Sequence, residues 1–295
     1  MTFPQKIAAG SLLVSLIVLA IKGVAWWITG SVALLSDALE SIINVATAIA
    51  AIVAIRVAAQ PPDEKHPYGH HKAEYLSAVG VGVLIVVAAL AILKEAYGGF
   101  LAPQPIDAPL QGMAVNSIAT LLNAAWSAFL IRQGREHRSP ALVADGKHLF
   151  ADVVTSVGVV VGVGLVVLTN IQVLDSVIAA LVALHVLWSG WEVIHESAGG
   201  LLDEAAPADQ LALIRQALAA NADEAIEVHD LRTRHAGKAT FIDFHLVVPG
   251  AMTVRRSHAI CDRLEAALAE ALDGAIVTIH VEPEDKAKHE GALVS

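Results

Sequence analysis

Six long apolar stretches, roughly 7–29, 31–55, 75–93, 111–131, 148–169 and 174–194, dominate this 295-residue sequence. Each is long enough for a helix to cross the hydrocarbon of a bilayer, which takes roughly 20 residues. A helix keeps its backbone hydrogen bonds within itself, which hydrocarbon requires. Composition agrees: charged residues are 16% of the chain and mean hydropathy is +0.62, where soluble domains carry about 25% charged residues. Residues 1–22 imitate a signal peptide, but no small-residue cleavage site is evident. The apolar run continues through Trp26 and Trp27, so it reads as a retained span. The single cysteine, Cys261, excludes an intrachain disulfide framework.

Charge placement predicts orientation. Arg56, Lys65 and Lys72 follow the second stretch; Arg132, Arg135, Arg138 and Lys147 follow the fourth; the opposite loops offer only Lys94. Cytoplasmic loops carry the excess of Lys and Arg, so the even-numbered spans end in the cytoplasm and both termini lie there.

After Gly200 the text changes. Residues 201–295 carry a net charge of −7 out of −10 for the whole chain. LLDEAAPADQLALIRQALAANA reads as a Pro- and Asp-capped amphipathic helix. AIEVHDLRTR and ATFIDFHLVV read as strands joined through AGK. TVRRSHAICDRLEAALAEAL is a helix with Cys261, Leu264, Leu268 and Leu272 on one face, and GAIVTIHVEP is a last strand. The order α-β-β-α-β predicts a two-layer domain with helices on one side of a sheet. The expected fold class is therefore a membrane all-α six-helix transmembrane domain plus a small α+β, ferredoxin-like cytoplasmic domain. Its expected boundaries are 1–200 for the spans, 201–206 for a hinge, 207–290 for the cytoplasmic domain and 291–295 for a tail. The acidic balance gives no support for nucleic-acid binding.

Two spans carry polar stripes. SDALESIIN places Asp37, Glu40 and Asn44 at the offsets at which DGKHLFAD places Asp145, His148 and Asp152. Such spacings share one helix face. Interhelical hydrogen bonding explains an isolated Asn, such as Asn116 or Asn123, but a carboxylate inside a span costs roughly 2.5–3.5 kcal/mol on insertion scales. Two carboxylates, an imidazole and an amide at matching heights make a four-ligand shell for a divalent cation. Glu40 and Asp152 would neutralise its charge. On release protons would take its place, His148 being a carrier near neutral pH. Asp37 and Asp145 lie one turn nearer the helix N-termini and read as capping or supporting groups.

At these residues the chain resembles the cation diffusion facilitator family, of its bacterial zinc-exporting YiiP/FieF type. The family carries a ligand pair four residues apart in span two and HxxxD in span five, here Glu40/Asn44 and His148/Asp152. Span five matches fully. Span two departs: the family usually has His or Asp and then Asp. The more oxygen-rich shell leans towards Mn²⁺ or Fe²⁺, and the histidine leans back towards Zn²⁺, Fe²⁺ or Co²⁺.

In the loop QPPDEKHPYGHHKAEYLS, the resemblance implies a second metal site at Asp63, His66 and His70, with His71 a spare neighbour. It also implies an interlock between Lys72 and Asp203. In the cytoplasmic domain, strand period puts His280 with Glu282, and Asp243 with His245, on one face each. The resemblance implies a binuclear zinc site there: His229 and His245 at one ion, His258 and His280 at the other, Glu282 bridging where the family usually has Asp. His185, His235 and His289 match no family role. Metal binding would favour a homodimer.

The expected function is proton-coupled efflux of divalent transition-metal cations across the cytoplasmic (inner) membrane: Zn²⁺ foremost, with Fe²⁺, Mn²⁺, Co²⁺ and Cd²⁺ as alternatives. The chain is then a secondary transporter and not an enzyme. Two other readings stay open. One is a membrane metal sensor that binds without flux. The other is an intramembrane metallohydrolase, against which stands the absence of HExxH.

Overall fold

The computed structural model describes residues 3–29, 32–102, 110–169, 171 and 173–288. His289 lies outside the described residues, and for Asp37, Glu40 and Asn116 only the helix on which they stand is described. The chain divides into two compact units, Met1–Ala198 and Gly199–Ser295.

The first unit is helical: α1 (Phe3–Thr29), α2 (Val32–Ala58), α3 (Ala73–Leu101), α4 (Leu110–Glu136), α5 (Pro140–Thr169) and α6 (Val173–Leu201), the last running past the unit boundary. Among the described residues, four stretches are long and apolar enough to cross a membrane: Phe3–Val24, Ser41–Ala58, Ala73–Leu101 and Ser176–Leu201. Large apolar side chains such as Leu13, Ile17, Val53, Val87, Leu90 and Leu184 face outwards. A surface of that kind suits lipid and not water.

Two packed clusters organise these helices, and α5 belongs to both. Ile7 and Ala8 of α1, Ile52 and Ile55 of α2, Leu130 of α4 and Leu142 and Leu149 of α5 form one. Ala78, Val81 and Ile85 of α3, Ala144 and Ala151 of α5 and Val186 and Val193 of α6 form the other. Small residues set the closeness of the crossings. A Cβ on Gly146 would lie 3.0 Å from the Ile131 backbone nitrogen, and one on Gly134 would lie 2.8 Å from that of Val143. Helices α4 and α5 therefore touch almost backbone to backbone, as small residues allow in membranes. The α1-α2-α4-α5 group thus positions the polar face of α5 in its interior.

The second unit holds α7 (Ala208–Asn221), β1 (Glu227–Ala236), β2 (Ala239–Val248), α8 (Val254–Ala271) and β3 (Ala275–Pro283), in the predicted order. Helix α7 differs from the expectation at its start. Pro207 stands at the N-cap with no side-chain cap bond, and Asp209 lies in the first turn. There it faces the positive helix end without capping it. Strands β1 and β2 are antiparallel with Ala236 opposite Ala239, so Gly237 and Lys238 alone make the turn. Gly237 takes the positive φ, 57°, that such a turn requires. Strand β3 runs parallel beside β2, reached through α8 as a crossover. Ile242, Phe244, Leu246 and Val248 of β2 bury against Ile214 and Leu218 of α7 and Ile260, Cys261, Leu264 and Leu268 of α8. Burial pushes the Cys261 thiol pKa up, which suits a packing role. One sheet face is thus consumed by the core, and alternation sends His245 to the other face.

Candidate metal centres

Within the first unit, Asn44, His148 and Asp152 are 1%, 6% and 5% exposed, so all three point into the bundle and not at lipid. The Asn44 amide donates to Asp152 Oδ2 at 2.7 Å. A carboxylate only accepts, so the N–H side of that amide must face it. Asn44 Oδ1 is turned elsewhere, and like both His148 ring nitrogens it is buried without a hydrogen-bond partner among the described residues. Buried acceptors without donors are rare in folded proteins and call for an explanation. Three ligand-type groups therefore converge from α2 and α5. Glu40 stands one helical turn before Asn44 on α2, and its side chain lies outside the described residues.

One residue of this site escaped the sequence reading. Lys22 of α1 is 2% exposed, and its ammonium lies 3.8 Å from Asp152 Oδ2. The signal was a cation inside an otherwise apolar run, which loop-charge counting passes over. Asp145, expected in a supporting role, is fully buried. It accepts from Ser11 Oγ at 2.6 Å and from Thr47 Oγ1 at 3.1 Å, tying α1, α2 and α5 together one turn before His148. Lys147 reaches the other way, to Glu192 and Glu196 of α6 at 3.0 and 3.1 Å.

In the loop after α2, Asp63, His66 and His70 come together as a three-ligand group. Asp63 Oδ1 accepts from the backbone N–H groups of His66 and Lys65 at 2.6 and 2.9 Å. Those bonds, the His66 one foremost, hold its carboxyl below the usual range. His70 Nε2 lies 3.4 Å from Asp63 Oδ2. Gly69, at φ +84°, makes the bend, and a Cβ there would also meet the His71 ring at 3.1 Å. Burial lowers the His71 pKa, so it stays neutral beside the group. Lys72 forms the N-cap of α3. Asp203 belongs to the second unit, where Arg234 Nη1 lies 3.2 Å from it.

In the second unit, register aligns His229 with His245 and His245 with His280. Three histidines thus occupy one rung across three strands, with ring centroids 5.2 and 4.9 Å apart. Glu282, two residues along β3, serves all three. Its Oε2 lies 3.4 Å from His229 Nε2; its Oε1 lies 3.4 Å from His245 Nδ1 and 3.5 Å from His280 Nε2. A register shift between His229 and Arg232 interrupts β1, and Asp230 takes φ 54° there. Such a bulge re-aims a side chain, and Asp230 joins His229 and His245 in a group of ligand atoms within 4.8 Å. Lys288 Nζ holds Asp230 Oδ2 at 2.6 Å, and that hydrogen bond keeps the Asp230 carboxyl below its usual range. Glu227, 1% exposed, lies 2.7 Å from His229 Nδ1. Glu227 Oε1 accepts from the Lys288 backbone N–H at 2.9 Å, and both His229 ring nitrogens are buried without a hydrogen-bond partner among the described residues. Neither Glu227 nor Asp230 was singled out from the sequence. The nitrogen and oxygen donors on this rung fit Zn²⁺, Fe²⁺, Co²⁺ or Mn²⁺.

His258 is the histidine expected to pair with His280. It stands on α8, is 72% exposed, and has Asp262 at 3.8 Å as its acidic neighbour. Helix α8 packs on the sheet face that the histidine rung leaves. Asp243 is exposed on β2, and His235 bonds to the Glu204 carbonyl through its own backbone N–H. His185 lies within α6.

Comparison with known proteins places this architecture. Residues 9–202 match the cation efflux transmembrane domain, and residues 206–284 match the cation efflux protein cytoplasmic domain. The transporter sll1263 of Synechocystis sp. is 44% identical over 93% of this chain and 88% of its own length. The cation-efflux pump FieF of Serratia proteamaculans is 32% identical over 90% of this chain and 88% of its own. A solved structure of CzrB, described as a zinc transporter, in its zinc form is 48% identical. It covers 29% of this chain and 98% of its own, with a TM-score of 0.28. The fold is that of a helical membrane transporter with a small cytoplasmic α/β domain. The chain belongs to the cation diffusion facilitator family, of the FieF type.

Proposed function

We propose that this protein exports divalent transition-metal cations, Zn²⁺ foremost, from the cytoplasm in exchange for protons. It works as a homodimer in the cytoplasmic membrane with both termini inside. The observation that carries this reading is the set of buried ligand atoms on the interior of the bundle. Among the described residues, Asn44 Oδ1 and the His148 nitrogens have no hydrogen-bond partner, and Asp152 lies beside them. A divalent ion would take Asn44 Oδ1, Asp152 and one His148 nitrogen together, and Glu40 supplies the second negative charge. Inward movement of protons down their gradient would drive the ion outwards, with His148 taking a proton as it leaves. Asp63, His66 and His70 would hold a second ion at the membrane edge. The rung of His229, His245, His280 and Glu282 would hold resident metal that stabilises the cytoplasmic domain and its dimer. Lys72 and Asp203 would couple that domain to the spans.

The test is metal uptake into proteoliposomes under an imposed pH gradient. The wild type is expected to accumulate Zn²⁺ only with the gradient present, and Asp152→Ala is expected to fall to the rate of empty vesicles. Undiminished flux in that variant overturns the site. Binding without flux in the wild type points instead to a sensor.

A further inference from the structure

Lys22 sits in the first apolar helix yet does not behave as a lysine at a membrane usually does. Such side chains extend their ammonium to the interface, leaving only the alkyl stem among apolar groups. Here the whole residue is 2% exposed, and the ammonium stays inside, 3.8 Å from Asp152 Oδ2. The same oxygen receives the Asn44 N–H at 2.7 Å. One carboxylate oxygen is therefore held by a cation and a donor. Around it, Asn44 Oδ1 and the His148 ring nitrogens have no hydrogen-bond partner among the described residues. Asp152 is thus charge-compensated without metal, while the site is incompletely hydrogen-bonded without metal.

We propose that Lys22 is a tethered counter-cation of the transport site. It neutralises Asp152 when no metal is bound, yields that carboxylate to an arriving divalent ion, and takes it back on release. This rests on the reading of Asn44, His148 and Asp152 as transport ligands. Three consequences follow from charge alone. A carboxylate buried without a partner is costly, so the tethered ammonium lets the empty site cross the bundle with Asp152 still ionised. A monovalent ion brings no more charge than the ammonium already present, and the tether gives that ammonium a high effective concentration. Na⁺ and K⁺ therefore cannot displace it, whereas a doubly charged ion can. The displaced ammonium also remains close enough to repel the bound metal, which speeds release. Helix α1, which supplies no metal ligand, becomes a moving part of the cycle.

The experiment measures Zn²⁺ flux by the full-length protein in proteoliposomes, comparing Lys22→Gln and Lys22→Met with the wild type. Removing a unit charge about 4 Å from a ligand is expected to lower KM at least about tenfold and to lower kcat as release slows. Added Na⁺ is expected to compete in these variants and not in the wild type. Lys22→Arg, which keeps the charge, is expected to restore KM partway. A merely structural role predicts an unchanged or raised KM in Gln and Met variants, and that result overturns the proposal. Should those variants fail to elute as the wild-type species, the wild type itself supplies the readout. Saturating Zn²⁺ is expected to raise acylation of Lys22 by an amine-reactive reagent, read by peptide mass spectrometry. Labelling that Zn²⁺ leaves unchanged overturns the proposal. A wild type without flux defeats the transport reading. Asp152-dependent flux with a KM indifferent to Lys22 defeats this inference alone.

Discussion

Asn44 has two faces with different work. Its N–H side holds Asp152 Oδ2 at 2.7 Å, and its Oδ1 is left as a buried acceptor without a partner among the described residues. Replacing it by Asp removes the donor and sets two carboxylates against each other. Like charges at that separation strongly disfavour joint ionisation, so the metal-free variant suffers and a divalent ion that relieves the repulsion gains. Asn44→Asp is therefore expected to lower KM for Zn²⁺ about tenfold or more and to raise the preference for Zn²⁺ over Mn²⁺. Competition flux between the two ions measures it, and an unchanged ratio removes the amide from selectivity. The i, i+4 spacing of Asn44 with Glu40, and of Asp152 with His148, made two of the site's helices legible in sequence. Lys22 was not legible, because a lone charge in an apolar run says nothing about which helix it faces. Tertiary packing of α1 alone supplies that information.

The elements themselves followed from periodicity. Long apolar runs became helices, and the alternation of Ile242, Phe244 and Leu246 assigned one face of β2 to the core. What periodicity could not give is how elements meet. Nothing in the sequence of β1, β2 and β3 says that His229, His245 and His280 share a rung, since register is a property of pairing. His258, expected beside His280, stands on α8 with Asp262 as its acidic neighbour at 3.8 Å. The glycines in α4 and α5 read simply as apolar residues, yet they determine where His148 stands. A Cβ on Gly146 would press on the Ile131 backbone nitrogen at 3.0 Å and on Ile131 Cγ1 at 2.8 Å. A side chain can rotate away, but a helix backbone has to move as a body. Gly146→Val is expected to force α4 from α5, displace His148 two residues along, and cost on the order of 1–3 kcal/mol of stability. Zn²⁺ flux should fall at least about fivefold with every ligand still present. Normal flux in a thermally destabilised variant refutes the positional role and leaves only the packing cost.

At the scale of the whole molecule, two units with separate cores carry separate candidate sites, so their responses to metal can be resolved. All five tryptophans, Trp26, Trp27, Trp126, Trp188 and Trp191, fall in the first unit. Tryptophan fluorescence therefore reports the spans, whereas calorimetry sees both units. The rung of His229, His245, His280 and Glu282 brings imidazoles and a carboxylate together on a strand face where the apolar core contributes nothing. An ion that binds the folded rung and not the unfolded chain stabilises it by RT ln(1 + [L]/Kd), about 2.7 kcal/mol at a hundredfold excess over Kd. For a unit near 100 residues each kcal/mol moves Tm by roughly 4–8 °C. Chelation is thus expected to lower the calorimetric transition of the second unit by on the order of 10 °C while the fluorescence transition moves less. His229→Ala should abolish that difference, because it removes a buried ligand of the rung whose nitrogens have no hydrogen-bond partner among the described residues. Glu227→Gln should weaken it, because it removes the buried carboxylate charge that lies 2.7 Å from Nδ1. A second unit whose melting ignores both chelator and His229→Ala would show that the rung carries no structural metal. The coupling from cytoplasmic metal to the spans would then have no source in this domain.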